Sequence, residues 1–593
     1  NIRMLKRFFI SFASCMAAIW LSALLAVVLF LVFIAALLAK YGETDAKLVD
    51  HTVLVVDLTG SIDERPGKPS ITDLISSGEV EMTQGLNQIV AAIDQAADDP
   101  QIDGIYLKVG GSTAGIASRM AIVDALNRFN KSKKFVYAYG DFYDQGDYII
   151  ATAADKIYVN PQGVVNVAGL SATTLFFKGL LDKVGVEMQV FKVGTYKSAV
   201  EPFILNEMSE ASREQQQSYL DAIWNSLTYQ IGYGRGVDDA EVQMWADSIC
   251  TTWDAERLIA NNVVDGAIYE HEMDAIIAKQ IGKDDPKDVN YLNTAQYCTI
   301  KEITTKALPE NAKGEKIAVL YAVGDITDKT GDGIVGAEMV PLINDIIDDD
   351  NVKGLVLRVN SGGGSAFASE QIWEALERFK ATGRPFYVSM GDVAASGGYY
   401  ISCGADKIYA QPETLTGSIG IFGIVPCAKE LLNDKLGINT STVSTNGAPM
   451  NLFQPFTPAQ SSAMQRRISQ GYDTFLSRVA KGRNKTVEEI NTIAQGRVWS
   501  GKQALDNGLV DEMGTLYNAI NDMKANNQLR GCEVVEYPAD NNTLLQSVLS
   551  MKKESQAQAL DEHLGEAAQL YHAVDRITHL EPVQCRMETV ILR

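Results

Sequence analysis

The sequence predicts an α/β protein built as a tandem repeat behind one apolar N-terminal segment. Three observations carry this. A long uncharged run lies near the start, a five-residue signature recurs about 250 residues later, and both copies alternate β-branched runs with amphipathic stretches.

The apolar run comes first. No charged residue lies between Arg7 and Lys40, and Leu, Ala, Val, Ile and Phe dominate. A helix needs roughly 20 apolar residues to cross the hydrocarbon core, so this run is long enough to span it. A cleaved signal peptide is the rival reading, but its apolar region is normally about 7–15 residues. Arg3, Lys6 and Arg7 precede the run, and Glu43 and Asp45 follow Lys40. The positive-inside rule then leaves the N-terminus in the cytoplasm and the body outside. Residues 1–45 are accordingly expected to be a cytoplasmic stub and transmembrane anchor.

The repeat comes next. Ala154-Asp155-Lys156-Ile157-Tyr158 returns as Ala405-Asp406-Lys407-Ile408-Tyr409, and Gly104–Val109 is matched by Gly354–Val359. Gly140-Asp141 pairs with Gly391-Asp392, Tyr148 with Tyr399, and Val264-Asp265 with Val510-Asp511. The matches run in one order at nearly constant offset, as a duplicated unit requires. The expected boundaries are 46–310 for the first copy, 311–540 for the second and 541–593 for a polar tail of helical character.

Within each copy, Val53–Leu58 and Ile317–Val323 read as opening strands. Ile105–Val109 and Leu355–Val359 are apolar runs that end in glycine-rich loops, as buried strands do. Gln371–Arg378 reads as helix and Phe386–Met390 as the next strand. That alternation implies parallel βαβ units. Longer helical stretches near Ser212–Ile231 and Gln460–Ala480 close the copies.

Chemistry is expected where the copies differ. The second copy reads Gly391-Asp392-Val393-Ala394-Ala395-Ser396-Gly397-Gly398-Tyr399, and counting from the matched glycines sets Ser396 opposite Gln145. Small neighbours leave room for a carbonyl to approach a nucleophile. A tight strand-to-helix turn with an incidental serine explains the same run. Asn360-Ser361-Gly362-Gly363-Gly364-Ser365 is a second glycine-rich loop, suited to aiming N–H groups at an oxyanion. The first copy has Gly110-Gly111-Ser112-Thr113 there. No G-x-x-x-x-G-K-[ST] pattern exists, which argues against phosphate cradling.

His271 is the one histidine between His51 and His563, so a Ser-His-Asp triad has little material. A lysine base needs no histidine if burial brings its pKa down. In Thr195-Tyr196-Lys197-Ser198-Ala199-Val200-Glu201-Pro202-Phe203, aligning Pro202 and Phe203 with Pro455 and Phe456 sets Lys197 opposite Met450. Taken alone, Lys197 reads as a surface charge. What singles it out is complementarity: one copy keeps a lysine, the other a serine.

Composition narrows the field further. The net charge is −22, which argues against binding a phosphate backbone. Cys250, Cys298, Cys403, Cys427, Cys532 and Cys585 are scattered without a C-x-x-C, which disfavours a zinc knuckle or redox motif. Core thiols are the expected state for most of them. No metal or cofactor is expected.

These motifs resemble the S49 serine peptidases, in the long double-domain form of the signal peptide peptidase A type. The matching pieces are Tyr196–Phe203, Arg358-Val359-Asn360-Ser361 with Gly363-Gly364, Ala395–Tyr399, Leu415–Gly420, and Gly496–Trp499 with Gly508–Asp511. The resemblance covers the chain from the apolar run to about residue 540. It implies two crotonase-like or ClpP-like domains behind the anchor, with Ser396 as nucleophile and Lys197 as general base. Gly363 and Gly397 match oxyanion-hole positions, and Ser418 matches a position that helps orient the lysine amine. It further implies a homotetramer at the bacterial inner membrane, with a periplasmic body that degrades cleaved signal peptides. Nucleic acid is not an expected partner. The family usually has proline where this chain has Gly362. Two other readings stay open at this point: a non-catalytic membrane scaffold, and an acyl-CoA-processing enzyme of the crotonase fold.

Overall fold

The computed structural model describes residues 46–67, 84–301, 314–331, 333–446, 450–538 and 583–587. It also describes Ile591–Leu592 and five residues of the N-terminal run, Met16, Trp20, Leu21, Ser22 and Leu25, which are helical. The rest of the expected anchor lies outside the described residues. Among the described residues, no helix is long and apolar enough to cross a membrane.

The first copy contains strand β1 (Thr52–Asp63), helix α1 (Leu86–Asp98), β2 (Ile102–Thr113), α2 (Ile116–Phe129), β3 (Phe135–Tyr143), α3 (Gln145–Ala151) and β4 (Lys156–Val165). β5 (Glu187–Lys192) and the long α4 (Glu210–Arg235) follow. β1 to β4 pair in parallel in that order. One face packs Leu54, Val56, Ile105, Leu107, Val136 and Ile157 into the main core, and the other packs Val53, Tyr106, Phe135 and Tyr139, so the sheet is covered on both faces.

The second copy repeats the plan with β6 (Lys316–Val323), α5 (Gly336–Asp348), β7 (Val352–Ser361), β8 (Gly363–Ser365), α6 (Ala366–Ala381) and β9 (Phe386–Ala395). It continues with α7 (Gly397–Ser402), β10 (Lys407–Ala410), β11 (Leu415–Gly417), β12 (Phe422–Cys427), α8 (Pro458–Arg483), β13 (Val498–Ser500) and β14 (Glu533–Tyr537). β6, β7 and β9 are again parallel neighbours. The strands and helices expected within the two copies fall inside these elements, so the body is a mixed α/β fold with two related halves.

The long helices show the repeat at the level of capping. α4 and α8 are both 26 residues long. Ser209 caps one and Thr457 the other, each side chain accepting from the backbone N–H three residues on. Such a cap stabilises by about 1 kcal/mol. Gly236 and Asn484 end them in the left-handed conformation.

The halves are not independent. β5, from the first copy, pairs antiparallel with β12 of the second, from Phe422 opposite Lys192 to Cys427 opposite Glu187. Phe191 therefore packs into the second copy's core, while Leu415 and Val498 pack into the first's. Two carboxylates also cross. Glu64 holds the buried Arg358 at 2.9 Å. Asp392 accepts from the N–H and hydroxyl of Ser118 at the start of α2. Asn360 bridges them, donating to Glu64 and Asp392 and accepting from the N–H of Val393.

One described stretch of the tail is extended where the sequence reading expects helix. Val583–Arg586 is a strand, β15, rather than helix. It lies antiparallel between β8 and β12. No helical periodicity is needed here, because two strand edges supply its backbone partners. Residues 541–582 lie outside the described residues.

Candidate active site

The sequence Ala394-Ala395-Ser396-Gly397-Gly398 turns sharply from β9 into α7. Ser396 sits at the turn with φ 55° and ψ −111°. A non-glycine residue with positive φ stores strain of about 1–3 kcal/mol and persists only where surroundings enforce it. Here they do: the Ser396 N–H donates to Gly417 O at 2.8 Å, and its carbonyl accepts from the Tyr400 N–H at 2.8 Å. Ser396 is fully buried.

Lys197 arrives from the other copy. After β5 the chain turns, and Lys197 Nζ comes to 2.8 Å from Ser396 Oγ. Nζ also lies 3.0 Å from both the carbonyl oxygen and the hydroxyl of Ser418. Lys197 is 1% exposed. Gly496, at φ 78°, makes this approach possible, because a Cβ there would stand 2.7 Å from the Lys197 backbone. Ser418 has φ 51°, a second non-glycine residue in the left-handed region within the same site.

The expected oxyanion glycines lie against each other and beside Ser396. A Cβ on Gly363 would stand 2.6 Å from the Gly397 nitrogen, and Gly363 has φ 98°. Only glycine fits there. The Gly363 N–H donates to Ser361 Oγ at 3.1 Å. Gly362, where the family usually has proline, has open space on its side-chain face, and its carbonyl accepts from the Met587 N–H. The structure thus brings Lys197, Ser396 and Ser418 together, with Gly363 and Gly397 beside the Ser396 turn.

Some residues of the site were not singled out from sequence. Gln215 on α4, fully buried, donates to Tyr196 O and to Ser198 Oγ and accepts from the Val498 N–H. It clamps both flanks of Lys197 to the second copy. Arg497 stacks on the rings of Tyr196 and Trp499 and pairs with Glu214 at 3.1 Å. A polar residue facing inward from an amphipathic helix was the one available signal for Gln215.

The matching place in the first copy is filled. Gln145 begins α3 and is bonded to the Ala168 and Gly169 backbone. Asp147, fully buried, accepts from the N–H groups of Gly111 and Ser112 and from the Ser112 hydroxyl. Its carboxyl is pushed up by burial, against the lowering hydrogen bond from Ser112. An internal carboxyl group thus occupies two loop N–H groups of the first copy. Met450 is exposed. His271 stacks on Tyr269 and lines a surface cleft with Tyr106, Lys108 and Asp274, away from the residues around Ser396. The six described cysteines are unpaired thiols, all buried.

The family model described as peptidase family S49 matches residues 128–281 and again 378–530. Protease 4 of Haemophilus influenzae is 34% identical over 91% of this chain and 91% of its own length. Protease 4 of Salmonella typhi is 36% identical over 79% of this chain and 77% of its own. A putative signal peptide peptidase SppA of Enterococcus faecium is 34% identical over 50% of this chain and 88% of its own. Among solved structures, a ClpP1 mutant of Listeria monocytogenes matches 37% of this chain and 98% of that chain, at 16% identity and TM-score 0.24. The sequence matches make the chain a serine peptidase. It belongs to peptidase family S49, with the family's unit present twice.

Proposed function

We propose that the chain is a membrane-anchored serine endopeptidase whose Ser396 and Lys197 form a nucleophile and base pair, acting on cleaved signal peptides and similar hydrophobic peptides. The observation that carries this is the buried 2.8 Å approach of Lys197 Nζ to Ser396 Oγ. A neutral amine has two N–H bonds and one lone pair. Ser418 O and Oγ accept the two N–H groups, which turns the lone pair toward the Ser396 hydroxyl. Desolvation penalises an ammonium, and these three neighbouring oxygens carry no charge.

In this reading Ser396 Oγ attacks the scissile carbonyl carbon and passes its proton to Nζ. The oxyanion that forms is held by the Gly397 and Gly363 N–H groups, a stabilisation of about 3–4 kcal/mol per donor in well-studied cases. The Gly363 N–H turns from Ser361 Oγ to the oxyanion. As the carbonyl re-forms and the C–N bond breaks, the Lys197 ammonium protonates the leaving amine. Water then hydrolyses the Ser396 ester, with Lys197 again as base.

The substrate class is supported by the peptidase names of the relatives, and the anchor by the uncharged run between Arg7 and Lys40. A crotonase-like or ClpP-like form for each repeat, a homotetramer and a body on the periplasmic face of the bacterial inner membrane complete the proposal. The deciding experiment is labelling with a fluorophosphonate, read at peptide level. Modification of Ser396 that is lost in Lys197→Ala supports the pair. Activity retained by Ser396→Ala overturns it. For the anchor, protein lacking residues 1–40 is expected in the soluble fraction with activity retained.

A further inference from the structure

The repeat allows a second comparison, away from Ser396. Helices α4 and α8 are equal in length and capped alike, so their residues pair one by one. Gln230 then falls on Arg478 and Tyr233 on Lys481. At the offset of Gly104 and Gly354, the end of α2 meets the end of α6, which sets Asn127 against Glu377 and Asn130 against Lys380. In the second copy this place is closed by charge. Arg478 pairs with Glu370 at 2.6 Å, Lys481 pairs with Glu377, and both cations lie over the Trp373 ring. Lys380 Nζ donates to Gly404 O at 2.7 Å.

In the first copy both ion pairs are gone. The place is an open cleft of about 770 Å³, lined by α4, by the end of α2 and by the turn between α3 and β4. Asn130 Nδ2 keeps the bond that Lys380 makes, donating to Ala153 O at 2.9 Å. Its Oδ1 is buried and has no partner among the described residues. Gln230 is 7% exposed, and its Nε2 in the same cleft has no partner among them either. A buried donor and acceptor left unmet at one cleft are costly, and a ligand that meets both removes the cost. Beside them Tyr229 and Tyr233 are 64% and 70% exposed, four residues apart on α4, with nearly parallel rings at 6.4 Å.

These groups define the ligand. Lys131 and Asp155 bring one charge of each sign, and Asp155 already accepts from the Val136 N–H, so the cleft favours neither anions nor cations. None of the lining residues belongs to a strand, so an extended peptide finds no main-chain edge here. What fits is a ligand with apolar faces and hydroxyl edges. The faces lie on the tyrosine rings, and the hydroxyls exchange hydrogen bonds with the two amides. We propose that this cleft is a second binding site, for a neutral oligosaccharide, and that it holds the protein on a glycan. It shares no residue with the site around Ser396, so it does not depend on the Ser396 and Lys197 reading.

Full-length protein, in a detergent without a sugar headgroup, is to be titrated calorimetrically with chitotetraose, cellotetraose and maltotetraose. Saturable binding of at least one tetrasaccharide is expected, and tetraglycine should not displace it. Tyr229→Ala and Tyr233→Ala should each weaken that binding about three- to tenfold through the lost ring face. Gln230→Met keeps the shape and removes the amide, and should weaken it by about the same factor. Melting temperatures close to that of the parent protein show that the three variants fold, as two exposed rings and an unpartnered amide nitrogen predict. The proposal is overturned if none of the tetrasaccharides binds, if tetraglycine displaces the bound sugar, or if binding is unchanged in the folded variants.

Discussion

Lys197 Nζ and Ser396 Oγ stand 2.8 Å apart across 199 residues of chain, each from a different copy of the repeat. Two groups that act as one unit lose function together. Ser396→Ala and Lys197→Ala are each expected to abolish peptide hydrolysis, and the double variant should be about as inactive as either single one. Lys197→Arg should fail as well, because a guanidinium does not give up its proton at working pH. Initial rates on a peptide ester check all four variants. Full activity in Lys197→Arg would end the proposal.

The same contact sets a pH dependence. On the proposed reading a lysine base works only when neutral, so kcat/KM is expected to rise with pH through one apparent pKa belonging to the pair, below the roughly 10.4 of free lysine. A rate profile from pH 6 to 10 (about the span between the reference values of histidine and lysine) measures it. A profile left unchanged by Ser418→Ala would mean that the serine does not orient the amine. The expected loss in that variant is about 10- to 100-fold in kcat, less than for the dyad itself.

Gln215 is expected to matter without touching the reacting atoms. Gln215→Ala strands the buried Val498 N–H and takes a donor from Ser198 Oγ, at about 1–3 kcal/mol. Through the displaced Lys197 the variant should lower kcat more than it raises KM. Melting temperature and kinetics on one preparation separate the two effects. A fall in stability with kcat intact would make Gln215 a packing residue only.

Glu64 and Arg358 form an ion pair buried at 5% and 2% side-chain exposure. Removing one partner leaves the other charge uncompensated, which costs about 3–5 kcal/mol. Glu64→Gln is expected to lower the urea midpoint accordingly. Asn360 donates to both Glu64 and Asp392 and precedes Gly363, so on the proposed mechanism kcat should fall too. A midpoint equal to that of the parent protein contradicts this.

In the first copy, Gln145→Ala should leave kcat within about twofold while weakening the Ala168-Gly169 loop by about 1 kcal/mol. Asp147 carries a pH signature. Its carboxyl is raised by burial, so the folded protein keeps that proton to higher pH than the unfolded chain does. The stability this contributes is complete below the ordinary value of 3.8 and declines as pH rises through the raised one. Thermal unfolding between pH 4 and 7 should therefore be flatter in Asp147→Asn than in the parent protein.

Much was legible in the residues themselves. Strand and helix order followed from periodicity, because buried strands such as Leu355–Val359 are continuous apolar runs while helices such as Gln371–Arg378 show an amphipathic period. The duplication was legible because the pentapeptide Ala-Asp-Lys-Ile-Tyr survives in both copies. Ser396 and Lys197 stood out because each is missing from the other copy.

The rest was decided by packing between distant segments. No spacing rule says that β5 leaves its own half to pair with β12, yet that crossing is what carries Lys197 to Ser396. Gln215 and Glu64 look like ordinary polar residues until their partners, Val498 and Arg358, arrive from the other copy. The tail reads as polar helix, but Val583–Arg586 is a strand, because the open edges of β8 and β12 satisfy its backbone there. A sequence states local preference, period and loss between repeats. Which edge meets which strand depends on where two folded halves place their unpaired N–H and C=O groups, and only the tertiary structure decides that.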